Sequence, residues 1–108
     1  MNAQYKKGVL SLCVLALLHQ RDHYGYEISE YLSQHISIAD GTVYPILRKL
    51  KNDGLLSTYL QEESGGPPRK YYSLTKLGRE TYESEKKTYL AFAQSVARLL
   101  EENNDGKK

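Results

Sequence analysis

A chain of 108 residues, 40% hydrophobic and 26% charged, has room for one domain with a modest core and little for an elaborate active site. Its single cysteine, Cys13, excludes an internal disulfide and fits a reducing cytoplasm. The net charge of +2 is small but uneven: between Gly41 and Arg79 seven cations face three carboxylates, while both flanks are slightly acidic. A basic centre of this kind is a footprint for a polyanion, although charge alone fits a solvated surface as well.

Val9 to Leu18 is apolar except for Ser11. The run is too short to span a bilayer and lacks a small-residue cleavage pattern, so neither a membrane span nor a signal peptide is expected. It predicts a helix over Lys7–His19 that is covered on more than one side. Cys13 lies within it and reads as a buried structural thiol. Asp22 to Gly25 breaks the helix. His19 and His23 have His-x-x-x-His spacing, but the break separates them and no third ligand is near, so no metal site is expected.

Tyr26, Ile28 and Leu32 define a second, amphipathic helix. Asp40 is a good N-cap type for the third, in which Val43, Ile46, Leu47 and Leu50 form one buried stripe. Arg48, Lys49 and Lys51 fall off that stripe, and Gly54 suits a left-handed C-cap. From Leu55 to Gln61 the alternation turns β-like, and Arg69 to Leu74 supplies a second strand. Between them Gly65-Gly66 and Pro67-Pro68 make a stiffened tip of about five residues, which delivers Arg69 and Lys70 into the hairpin. Thr75 is an N-cap candidate for a last helix reaching about Glu102. There Tyr82, Tyr89 and Val96 recur every seven residues with Phe92 and Leu99 offset by three, the pattern of a seam for a partner helix. The fold class is therefore mainly α with a two-stranded β-wing. It comprises a winged helix-turn-helix over residues 1–75, a dimerisation helix over 76–102 and a disordered tail over 103–108.

In such a fold the third helix enters the major groove of double-stranded DNA and the hairpin flanks it. Thr42, Tyr44, Arg48 and Lys49 on that helix, with Arg69 and Lys70 on the wing, are the expected DNA contacts. The plainer reading is a capped helix with solvated cations and a charged hairpin edge. Tyr44 is ambiguous, because it could also pack inward. The dimer interface is expected to join Tyr82, Tyr89, Phe92, Val96 and Leu99 to Leu10, Val14 and Leu17 of the first helix. No catalytic triad, Walker-type loop or metal-ligand cluster is present, so no enzyme activity and no cofactor are expected.

Three blocks, "YGYEISEYL", "DGTVYPILRKLKNDGLL" and "GGPPRKYYSLTKLGRE", occur in an order that resembles the PadR family of bacterial transcriptional regulators, over roughly residues 7–80. The single terminal helix is similar to that of the short subfamily, which includes repressors of multidrug-efflux genes. The resemblance implies a cytoplasmic homodimeric repressor, relieved by a small molecule or another signal. It also implies an effector pocket at the dimer centre, here at Tyr89, Phe92 and Val96, since "LAFAQSV" is similar to the segment lining that pocket. Relatives offer a tryptophan there as a flat stacking surface; this chain has none, which counts against planar drugs. A competing reading makes the chain a ligand-binding or protein-interaction adaptor whose basic face meets an acidic protein.

Overall fold

The computed structural model describes residues 3–39, 41–62 and 65–105, with side chains described from 8 to 102. Seven elements follow in order: α1 Ala3–Gln20, β1 His23–Tyr24, α2 Gly25–His35, α3 Val43–Asn52, β2 Leu56–Gln61, β3 Arg69–Leu74 and α4 Lys76–Asp105. The antiparallel sheet has the order β1-β3-β2. Tyr24 pairs with Tyr71, Tyr59 pairs with Tyr71 from the other side, and Gln61 pairs with Arg69. This is a winged helix-turn-helix with a long terminal helix.

The core forms where the apolar stripes of the elements converge. Leu10, Val14, Leu15, Leu17 and Leu18 of α1 pack with Ile28 and Leu32 of α2, with Val43, Ile46, Leu47 and Leu50 of α3, and with Leu56, Tyr72 and Leu74 of the sheet. α1 contributes on several sides because α2, α3, β3 and α4 all contact it. Only the first part of α4 joins the core, through Tyr82. The rest projects outward, which draws the molecule out to 64 × 28 × 21 Å.

Several boundaries differ from expectation. α1 begins at Ala3, four residues before the apolar run alone would start it. Gly25, expected as a breaker, opens α2, and His23–Tyr24 adds a third strand to the wing sheet. A two-residue strand carries no periodicity of its own; pairing with β3 creates it. α4 continues to Asp105, into the expected tail, because nothing before that point breaks a helix. Asp40 lies outside the described residues. Gly54 has φ +82° at the end of α3 and Gly65 has φ +75° in the tip, both in the region that favours glycine. β2 ends at Gln61 and β3 begins at Arg69, the inner ends expected for the hairpin.

Candidate nucleic-acid interface

α3 is anchored by its four buried residues, which leaves Tyr44, Arg48, Lys49 and Lys51 on the open side. Thr42 precedes the helix, half-buried, and its hydroxyl makes no capping bond. Its amide donates to the Ala39 carbonyl at 3.2 Å. Tyr44 has a mixed role. The residue is 43% exposed, yet a Cβ at Gly25 would sit 3.1 Å from its Cε1, so the ring leans on the start of α2. Arg48 is exposed and has no ion-pair partner among the described residues. Burial raises the pKa of the neighbouring Tyr72 phenol, and the Arg48 charge opposes that rise. Lys49 is committed elsewhere: its Nζ lies 2.9 Å from Asp53 Oδ2, one turn along.

The wing separates its two cations. Strand alternation puts Arg69 on the face of Tyr71 and Lys70 on the opposite face, beside its cross-strand partner Leu60. On the Arg69 face, Tyr24, Tyr71 and Tyr59 run across the three strands. The Tyr59 and Tyr71 rings stack at 5.6 Å, and Tyr71 meets Tyr24 at 5.7 Å. The Tyr59 hydroxyl donates to Asp22 Oδ2 at 2.7 Å, which raises the pKa of that phenol. Sequence reasoning missed this row. Its signal was present: tyrosines at 59 and 71 occupy outward positions of two strands whose register places them opposite each other.

The interface candidates divide. Leu10, Val14 and Leu17 are each at most 3% exposed and Tyr82 is 8% exposed within a single chain, so these four belong to the core. Within one chain they keep little exposed area to offer a partner. α2, α3 and β3 already cover α1, and the first part of α4 folds back onto it. Further along α4, Tyr89 and Val96 are half-buried, while Phe92 and Leu99 are 59% and 62% exposed. Between α1 and α4 lies a groove of about 410 Å³, lined by Val9, Leu12, Ser84, Thr88, Tyr89 and Phe92 among others. Cys13 is half-buried, and burial pushes its thiol pKa up.

The two histidines occupy separate settings. His19 lies against Tyr82 of α4, with ring centroids 4.7 Å apart and its Nε2 3.3 Å from Glu83 Oε2. His23 is buried, and among the described residues neither ring nitrogen has a hydrogen-bond partner; Glu27 Oε1 stands 3.4 Å from Nδ1. Desolvation holds its pKa below the ordinary value, aided by Arg21 and opposed by Glu27.

This arrangement matches known proteins closely. The family model described as the transcriptional regulator PadR-like family matches residues 14–84, spanning α3 and the wing. The chain belongs to the PadR-like family. It is 35% identical over 77 residues to an uncharacterized protein of Lysinibacillus sphaericus, covering 68% of this chain and 71% of that one. It is 27% identical over 94 residues to a transcriptional regulator of Mycobacterium tuberculosis, covering 86% and 87%. The crystal structure of a PadR-like transcriptional regulator from Bacillus cereus superposes with a TM-score of 0.81 at 36% identity, covering 91% of this chain and 97% of that one. PadR-like proteins are transcriptional regulators rather than enzymes; they bind DNA and typically dimerise. Among the described residues, no helix is long and apolar enough to cross a membrane.

Proposed function

We propose that this PadR-like chain is a homodimeric repressor that binds a palindromic operator. The observation that carries the reading is the open face of α3, where Tyr44 and Arg48, the latter with no ion-pair partner among the described residues, stand exposed on a helix locked by four buried side chains. An arginine so placed can fork onto a guanine edge or grip a phosphate. Thr42 adds a hydroxyl at the helix start, where side chains reach base edges. Lys49 contributes less, because Asp53 already holds it. Arg69 and Lys70 flank the groove from the wing and meet the phosphate backbone.

The apolar seam of Tyr89, Phe92, Val96 and Leu99 supports dimerisation, since one chain leaves it largely uncovered. Its counter-surface on the second subunit is the open side of α1, at Val9 and Leu12. The groove beside Tyr89 and Phe92 is of ligand size, so a small apolar effector reaching Tyr89, Phe92 and Val96 fits the same seam.

A gel shift over a salt series tests the proposal. Arg48, Arg69 and Lys70 give six free cations per dimer, so log K should fall against log salt with a slope of about −5. One inverted-repeat duplex should also be preferred over unrelated sequence. Equal binding to every duplex, or a preference for an acidic protein over DNA, would favour the adaptor reading instead.

A further inference from the structure

The fold treats its two wing cations unequally. Arg69 lies with its guanidinium carbon 4.6 Å from the centroid of the Tyr24 ring, directly over it. That ring is itself braced. Tyr71 meets it across the β1–β3 pair at 5.7 Å, and Tyr26 stacks on it at 6.4 Å. Tyr71 is backed in turn by Tyr59, which Asp22 anchors through the 2.7 Å hydrogen bond. Tyr24 also has a fixed backbone, because its amide donates to Glu27 Oε1 at 3.2 Å.

A guanidinium held over a ring still has N–H groups to donate, whereas the compact ammonium of lysine has no delocalised plane to set against the ring. An unsupported arginine on a wing samples many rotamers, and gripping a phosphate must freeze them. A braced ring beneath it removes part of that cost before DNA arrives. A Cβ at neighbouring Gly25 would come within 3.1 Å of the Tyr44 ring, so the start of α2 passes close to that of α3.

We infer that Tyr24 is a positioning residue for DNA binding: through its ring it holds Arg69 oriented toward a DNA phosphate. The inference rests on the proposed DNA-binding reading and adds a residue that touches no DNA.

The test is fluorescence anisotropy of the full chain on a preferred inverted-repeat duplex, across a salt series, with Tyr24→Leu, Tyr24→Phe, Arg69→Ala and the Tyr24→Leu/Arg69→Ala pair. Tyr24→Leu should weaken binding about two- to five-fold, the range that a cation–π contact at an exposed site supplies. Tyr24→Phe, which keeps the ring, should restore most of the loss. The double variant should bind no worse than Arg69→Ala alone, because Tyr24 acts only through Arg69. A purely structural tyrosine would instead add its loss to that of Arg69→Ala.

Two further measurements leave Tyr24 untouched and so do not depend on how well Tyr24→Leu folds. Arg69→Lys keeps the charge without the guanidinium and should lose affinity about two- to five-fold. In the free wild-type protein, the Arg69 side-chain protons should resonate upfield through the ring current of Tyr24. Wild-type affinity in Tyr24→Leu and Arg69→Lys, additive losses in the double variant, or unshifted Arg69 protons would each overturn the inference while leaving DNA binding intact. A wild-type chain that binds no duplex would overturn the reading beneath it.

Discussion

Arg48 and Lys49 are neighbours in sequence with opposite prospects. Both fall off the apolar stripe of α3, and from composition alone they were equivalent candidates. The side chains separate them: Arg48 stands free, while Lys49 closes an i, i+4 pair with Asp53. That spacing was legible, because residues four apart on a helix are neighbours. Arg48→Ala should weaken operator binding by about 1–3 kcal/mol, measured by anisotropy, while Lys49→Ala should cost less. Equal losses would show that the Asp53 pair opens on DNA. His23 was legible only as a rejected metal ligand; its burial arises from a strand too short to show in the pattern. Its pKa in the folded chain lies below the ordinary 6.5 because desolvation opposes the charged ring. The unfolded chain therefore binds the proton more readily. Stability should be full above about pH 6.5 and fall as the pH drops through and below that value. Thermal melts between pH 7.5 and 5.5 should show this fall, and His23→Phe should flatten it.

At the scale of elements, helices and wing strands were readable because each carries its own period: 3.6 for α3, two for β2 and β3. What escaped was set by contacts between elements. β1 exists only as an edge to β3, and the inward set of α1 depends on which neighbours cover it. The start of α4 shows a local signal and a tertiary one together. Thr75 was readable as a cap, and its Oγ1 does accept the Gly78 amide at 3.0 Å while donating to the Gly54 carbonyl at 2.7 Å. Gly78 carried no such signal. It is buried, and a Cβ there would overlap the backbone carbonyl of Leu55, which already accepts the Thr75 amide. Alanine ordinarily favours a helix over glycine by about 1 kcal/mol. Here the collision should reverse that sign, so that Gly78→Ala lowers stability by about 1–3 kcal/mol in denaturant melts. A stabilised variant would show that α4 can shift away from the wing at no cost.

For the whole molecule, the central feature is a small winged domain carrying a helix longer than it can cover. The heptad seam was legible, but where along it the chain's own core ends was not. Tyr82 fills the chain's own core, and only the outer part from Tyr89 onward remains for a partner. This sharpens the test of dimerisation. Phe92 is 59% exposed in one chain, so Phe92→Asp should leave the fold intact, as judged by circular dichroism. In a paired seam the same carboxylate would be desolvated without a partner. Light scattering should therefore give a monomer for Phe92→Asp and a dimer for the wild type. Two-fold pairing would matter because a palindromic operator needs two copies of α3 about 34–36 Å apart, the distance between successive major-groove faces. Selection of binding sites by the full chain from a randomised duplex library tests that geometry directly. The expected result is one inverted repeat with half-site centres about 10–10.5 base pairs apart, or a multiple of that spacing. A library in which no sequence is enriched, or in which only isolated half-sites are, would contradict the account.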